Sequence, residues 1–352
     1  MKRVHLSDLR LRVGVLAASI PLLLVTACSG GSTGTDGTTD GTPGADAGEF
    51  VPDKTITLVE PYDAGGGGDA YSRAIAGCIA DQAPDGVDVI VENKTPPIDG
   101  IGTVWEADPD GYTIGSTPLP TIVGMALSQP DAVPWDPAQF EPIGIAESNG
   151  YVVYVRGDSD YQTIEDLQTA TGLKTLGTSP GSGSSLAAAV AIATLELDAT
   201  LAFGADSSPE VALALQRGEI DFTTHGASDY PDLVDSGEVR PLLFLGTDEQ
   251  RSPRYEWLQD VPGLDSIGAG DMAGVVSEYR MFSAPPGTPE NILNWFSEQF
   301  DLAFENGCMQ EFSDTSARPL LPESRDQAVE IAKKQTAAIT ELFPKLTALQ
   351  AG

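Results

Sequence analysis

Basic residues are scarce. Nineteen lysines and arginines stand against 52 aspartates and glutamates, giving a formal net charge of −33 over 352 residues. A surface of that sign repels phosphate backbones and anionic headgroups, which excludes nucleic acid and anionic membrane surfaces as partners. Histidine is rarer: only His5 and His225 occur. Cysteine is limited to Cys28, Cys78 and Cys308. Two cysteines and one histidine beyond residue 28 supply too few ligands for a metal centre, and no cofactor is expected. Long apolar runs are missing as well. Val13 to Ala27 is the longest, and it is too short for a comfortable membrane span.

What that run does have is context. Lys2, Arg3, Arg10 and Arg12 precede it, and Leu24-Val25-Thr26-Ala27-Cys28 closes it. A basic start, a short apolar stretch and a small residue before cysteine make an export signal ending in a lipobox. Residues 1–27 are then a lipoprotein signal peptide, and Cys28 is the lipidated first residue, a membrane anchor. From Ser29 to about Asp53 the chain is Gly, Ser, Thr and Asp with almost nothing apolar, so residues 28–53 read as a disordered tether. Losing residues 1–27 removes four basic residues and one acidic one, which makes the remainder more acidic still. Some 300 residues from Lys54 onward are too many for one ordinary core and suit two lobes. An exported compartment permits a Cys78–Cys308 disulfide. Cys78 also lies on an apolar helical stripe, where a buried free thiol is equally at home.

Strands alternate with helices, which points to α/β with largely parallel sheets. Strand-like runs are Thr55–Val59, Val87–Glu92, Tyr112–Gly115, Tyr151–Arg156, Leu173–Leu176, Ile220–Phe222 and Pro241–Leu245. A loop is expected around Pro96 and Pro97. Helices are expected from Asp69, from Thr163 (a cap answered by Asp166), from Leu186, over Pro209–Gln216, and through most of the chain after Pro289. The first helix carries Tyr71, Ala74, Ile75, Cys78 and Ile79 on one stripe.

Two loops carry chemistry. Gly65-Gly66-Gly67-Gly68 joins the first strand to the first helix, with Asp69 as its expected N-cap. Four glycines let a ligand approach backbone N–H groups, and the helix N-terminus adds partial positive charge. The pair makes an anion nest without a cationic side chain. About 115 residues later, Gly177 to Ser185 repeats the plan: strand, glycines and hydroxyls, helix. Ordinary βα connections are also glycine-rich, but two such loops suggest one anion gripped from both lobes. Neither loop contains lysine or arginine.

Other motif readings compete. Gly65-x-Gly67-x-x-Ala70 fits a dinucleotide pattern, which any glycine tetrad matches in part. Gly177-Thr178-Ser179-Pro180-Gly181 fits a nucleophile elbow, with His225 as base and Asp206 or Asp221 to orient it. Only 46 residues separate Ser179 from His225, and Pro180 removes the N–H an oxyanion hole would use. His225 alone reads as a hydrogen-bonded histidine after a short strand. Arg73, four residues after Asp69, reads as a helical ion-pair partner.

Seven short segments in order then resemble one family. Pro61-Tyr62-Asp63-Ala64-Gly65-Gly66-Gly67-Gly68-Asp69 with Arg73 resembles the opening loop of Bug-type substrate-binding proteins of tripartite tricarboxylate transporters. Val91–Lys94, Asp108–Thr113, Arg156–Ser159, Gly177–Ser185, Gly218–Asp221 and Ala284–Pro289 resemble later segments of the same family. The chain departs from the pattern at Ala64, where proline is usual, at Thr95–Asp99, where glycines are usual, and around His225 and Gly226. The resemblance implies a type II periplasmic-binding-protein fold: two α/β lobes, a ligand cleft and two crossovers. Residues 54–150 and 278–352 would form lobe 1 and residues 151–277 lobe 2. It implies a binding protein rather than an enzyme, taking a small organic anion of di- or tricarboxylate type and passing it to membrane permease subunits. A ligand sensor of the same fold is the alternative. By the same resemblance Tyr62, Ala64, Gly65, Gly66, Gly67, Gly68 and Asp69 form one jaw. Ser179, Gly181, Ser182, Gly183, Ser184 and Ser185 form the other. Ser116 and Thr117 add hydroxyls, and Ser207, Glu210, His225, Gly226 and Ala227 read the distal part of the ligand.

Overall fold

The computed structural model describes residues 48–350 apart from Asp206. The signal peptide, Cys28, most of the tether and Asp206 lie outside the described residues. Packed chain begins earlier than Lys54. Phe50, the one aromatic residue of the expected tether, sets its ring edge-on to Tyr112 and Trp295. The Tyr112 hydroxyl also donates to Asp53 at 2.7 Å.

The elements run β1 (Ile56–Glu60), α1 (Gly67–Ala80), β2 (Val89–Asn93), α2 (Pro97–Glu106), β3 (Thr113–Ser116), α3 (Thr121–Ser128) and β4 (Glu141–Asn149). Next come β5 (Tyr151–Arg156), α4 (Ile164–Thr169), β6 (Leu173–Gly177), α5 (Gly183–Leu195), β7 (Ala199–Phe203), α6 (Ser208–Gln216), β8 (Phe222–Gly226), α7 (Pro231–Asp235), β9 (Val239–Phe244) and α8 (Glu256–Gln259). β10 (Glu278–Ala284) is followed by α9 (Glu290–Glu305), α10 (Cys308–Ser316) and α11 (Arg325–Gln350). Local chemistry explains several boundaries. Thr163 and Asp166 form the full capping box of α4. Pro97 opens α2, where its missing N–H costs nothing, so the expected Pro96–Pro97 loop is a helix start. α5 begins at Gly183, three residues before Leu186, because Ser182 caps it.

One sheet has the order β2-β1-β3-β10-β4; β8-β5-β9 and β6-β7 form two others. β1 pairs in parallel with β2 and β3, and β6 with β7. β10 is antiparallel to both β3 and β4, and β5 to both β8 and β9. The expectation of largely parallel sheets is therefore corrected. The physical reason is two strands that run against their neighbours: β10, which re-enters the first sheet after the excursion through β5 to β9, and β5, which opens that excursion. The chain leaves that sheet at Gly150, where a Cβ would lie 2.3 Å from the Phe244 ring. Glycine is required at that corner.

Each side of the crossover has its own core. Ile56, Leu58, Tyr71, Ile75, Ile79, Phe282, Phe296 and Phe300 pack in one cluster. Val152, Tyr154, Val211, Leu215, Phe244 and Leu258 pack in another. Side chains buried to this degree contribute about 1.5–3 kcal/mol each. The expected stripe of α1 is the face that packs, with Tyr71, Ile75, Cys78 and Ile79 buried. Among the described residues no helix is long and apolar enough to cross a membrane.

Cys78 on α1 is bridged to Cys308 at the start of α10, with Cα atoms 5.9 Å apart and a sequence separation of 230. Closing so long a loop restricts the unfolded chain strongly. Replacing both cysteines by serine should lower unfolding free energy by about 2–4 kcal/mol in urea titrations. An unchanged midpoint would mean that the bridge adds nothing to stability.

Candidate functional site

The glycine loop is braced from behind. Gly65 has φ +86°, a left-handed conformation, and Gly66 caps α1 in an extended conformation. Asp69 is therefore the third residue of the helix and not its N-cap. Its carboxylate turns back to accept the Gly65 N–H at 2.8 Å. It also accepts from Arg73 Nε at 3.0 Å and Asn93 Nδ2 at 2.9 Å, and Arg73 Nη2 lies 2.8 Å away. Asn93 Nδ2 donates to the Tyr62 carbonyl as well. Burial works against ionising Asp69, yet these hydrogen bonds and the Arg73 charge hold its carboxyl below the usual carboxylate range. Asp69 and Arg73 thus fix the loop, leaving the first-turn N–H groups of α1 without intrahelical acceptors.

The second loop is fixed by its own hydroxyls. Ser182 Oγ accepts the Ser185 N–H at 3.4 Å and donates to Ser185 Oγ at 2.8 Å. Both side chains are buried, while Ser179 and Ser184 are half-buried. The Ser184 carbonyl accepts from Thr224. Gly181 lies against α3, where a Cβ would come within 2.2 Å of the Gly124 carbonyl oxygen. The two loops meet at one atom: Thr121 Oγ1 accepts from Tyr62 Oη at 3.4 Å and from the Gly183 N–H at 3.1 Å. A pocket of about 320 Å³ beside the second loop is lined by Leu127, Leu186, Ala189, Phe203 and Phe343, with no charged side chain. Ser128, Gly181 and Ser185 add polar groups to the same lining.

Other expected residues make contacts of their own. Thr117 is fully buried, and its hydroxyl pairs with Ser283 at 2.6 Å; Ser116 is buried at the end of β3. Ser207 caps α6 without a side-chain bond, and Glu210 is exposed. His225 lies within β8 and is buried. Its Nδ1 is 3.5 Å from Asp229 Oδ2, and its Nε2 has no hydrogen-bond partner among the described residues. Ser179 is therefore not hydrogen-bonded to the imidazole, and Asp221 instead accepts the Lys174 N–H. The geometry does not assemble a serine triad.

What sequence reasoning missed is a buried guanidinium. Arg280 on β10 donates from Nε to Glu147 Oε2 at 2.5 Å. Its Nη1 is 3.6 Å from Glu278 Oε1 and its Nη2 is 4.0 Å from Asp229 Oδ1. The guanidinium also sits 5.1 Å from the Tyr71 ring. The strand register explains the aim. Tyr279 pairs with Ser148 and Met281 with Ile145, so Ala146 and Glu147 together oppose Arg280 in a bulge. A Cβ on Gly67 would lie 3.1 Å from Arg280 Nη2 and 3.4 Å from Arg318 Nη1. The guanidinium therefore seats beneath the N-terminus of α1 because residue 67 has no side chain. Glu60 faces the next residue, with Oε1 2.7 Å from where a Gly68 Cβ would be. The missed signal was an arginine inside an otherwise apolar strand run, Tyr279 to Phe282.

A family model described as tripartite tricarboxylate transporter family receptor matches residues 72–345. The periplasmic binding protein BugD has a similar structure, with a TM-score of 0.71 at 22% identity over 84% of this chain and 98% of that one. MatC from Rhodopseudomonas palustris, solved with bound malate, gives 0.67 at 18% identity over 81% and 97%. Another R. palustris protein, solved with adipate, gives 0.70 at 19% identity over 84% and 98%. At these identities the likeness establishes the fold, the expected periplasmic-binding-protein architecture.

Burial dominates the titration of the site. It lifts Glu60 to about 7 against the hydrogen bond from Ser72, and Glu278 to about 7 against the Arg280 charge. Glu147 is also raised by burial, despite Arg280. Burial pushes Asp229 up too, but the His225 contact, Arg280 and the Gly226 N–H bring it below its ordinary value. A carboxyl whose folded pKa lies above its unfolded value stabilises the protein at low pH and loses that effect as pH rises through the folded pKa. Unfolding free energy should therefore fall between pH 5 and pH 8, by on the order of 3 kcal/mol through Glu60 alone. Urea titrations of Glu60→Gln at the two pH values should show a flatter dependence. An unchanged slope would place the Glu60 proton elsewhere.

Proposed function

We propose that this chain, which belongs to the tripartite tricarboxylate transporter receptor family, captures a small organic carboxylate outside the cytoplasm and delivers it to the membrane permease subunits of such a transporter. The observation that carries the reading is the N-terminus of α1. There the braced glycines lie against two guanidinium groups, with Arg280 Nη2 at 3.1 Å and Arg318 Nη1 at 3.4 Å from where a Gly67 Cβ would be. Helix dipole and arginine charge act on the same side of a carboxylate at short range. Short range matters because the chain as a whole repels anions at long range. The malate held by MatC and the adipate held by its R. palustris counterpart are both dicarboxylates, which supports the ligand class. The role is binding and not catalysis, in keeping with a receptor family and with a His225 that does not engage Ser179.

In this reading residues 54–150 with 278–352, and residues 151–277, close on the ligand as two lobes, and Thr121 is the hydroxyl through which the two loops meet. Closure selects the form that the permease accepts. The lipobox ending at Cys28 supplies the anchor, holding the receptor beside its membrane partners.

Gly66 provides the test. Its backbone, φ −74° and ψ 176°, accepts a side chain, and a Cβ there would meet only the Asp63 carbonyl at 3.3 Å. Gly66→Val should keep the melting temperature within roughly 4 °C. In calorimetric titrations with malate or adipate it should weaken binding about tenfold or more, since the valine covers the N–H groups. Wild-type affinity in this variant would put the carboxylate elsewhere.

A further inference from the structure

Among the described residues Glu60 is the carboxylate of this corner with no cation at ion-pair distance. It ends β1, is fully buried, and borders the first turn of α1 beside Gly68. Its partners are neutral: Ser72 Oγ donates to Oε2 at 2.5 Å, and the Tyr62 N–H donates to Oε1 at 3.3 Å. The charges around it come from several elements. Arg280 on β10 already serves Glu147 on β4, Glu278 on β10 and Asp229 after β8. Asp69 and Arg73 on α1 are paired with each other. Arg318, between α10 and α11, reaches the Gly67 side and makes no ion pair among the described residues. Asp99 and Glu106 on α2 and Glu92 on β2 are exposed, Lys94 pairs with Glu92, and β3 carries no charged residue. Apart from the Asp69–Arg73 pair, the carboxylates of Glu60, Glu147, Asp229 and Glu278 thus face the guanidinium groups of Arg280 and Arg318. A ligand carboxylate on the Gly67 and Gly68 N–H groups would add a further negative charge, and Glu60 borders that turn.

We infer that carboxylate binding at α1 draws a proton from solvent onto Glu60, so that the receptor takes up its ligand and a proton together. The inference rests on the carboxylate-receptor reading and adds the charge compensation that reading requires. Two like charges close together in a buried place disfavour each other, and protonation falls on the group whose burial already opposes ionisation. Burial lifts Glu60 to about 7 against the Ser72 hydrogen bond and the Arg280 charge. The proton also has a seat. Ser72 Oγ can accept the hydrogen bond it now donates, so that contact survives protonation. A bound anion raises the Glu60 pKa further. Affinity is therefore highest where Glu60 is protonated both before and after binding, and it falls as pH rises through the ligand-free value.

Calorimetric titration of the full chain with malate at pH 7, in phosphate and in Tris, reads the proton directly, because the two buffers release protons with different heats. Wild type should take up about half a proton per malate, since Glu60 is half-protonated when free and protonated when bound. From pH 6 to pH 8 malate affinity should fall about five- to tenfold. Glu60→Gln should remove the uptake and flatten that fall to within about twofold, ionisation of malate itself being common to both proteins. Ser72→Ala takes away a donor that favours the ionised form, so it should move the fall to higher pH. Heats independent of buffer in wild type would overturn the inference and leave the carboxylate receptor standing. Uptake that persists in Glu60→Gln would place the proton on another member of the cluster, Glu278 first, and would overturn it too. Binding of neither malate nor adipate by wild type would overturn both readings.

Discussion

The Arg280–Glu147 pair ties together β10 and β4, the two antiparallel strands at the edge of the first sheet. Both groups are almost wholly removed from water, so each needs the other. Deleting either partner of such a pair leaves an uncompensated buried charge and costs about 3–5 kcal/mol. Much of the surrounding sequence follows from this. The bulge at Ala146–Glu147 aims the glutamate at the guanidinium. Tyr71 on α1 offers its ring to the same cation. Gly67 leaves space for it, which lets a helix N-terminus and a guanidinium occupy one corner.

Stiffness in the site comes from neighbours that never need to touch a ligand. Asp69 is saturated by Gly65, Arg73 and Asn93, and Ser182 by Ser185. Side chains whose motifs invite a binding role are spent on holding backbone in place. In the glycine loop the backbone they hold is exposed at Gly65 and Gly66, whereas in the second loop Gly181 to Gly183 are buried. Thr121, on a helix no motif singled out, is where the two loops share an acceptor.

Legibility in the sequence tracked locality. The capping box of α4, the strand Tyr151–Arg156 and the stripe of α1 depend on residues within a turn or two, and they stand where periodicity and capping rules place them. The glycine loop announced itself because four glycines have few other uses. β4 and β10 were invisible because their partners lie more than 120 residues apart, and antiparallel re-entry leaves no local mark. The buried charges travelled with those strands, so Glu147, Glu278 and Arg280 were missed together. His225 was legible as a residue of interest, but its place inside β8 and its partner Asp229 were not. The Asp69 reading failed for a smaller reason: Gly66 takes the cap, and a carboxylate three residues on can still reach back.

A crystal structure of the protein grown with malate tests the central claim most directly. The account predicts one carboxylate with its oxygens accepting from the N–H groups of Gly67 and Gly68, and with Arg280 Nη1 or Nη2 within hydrogen-bond reach. Malate seated away from α1, with the glycine loop and Arg280 making no contact to it, would contradict the account.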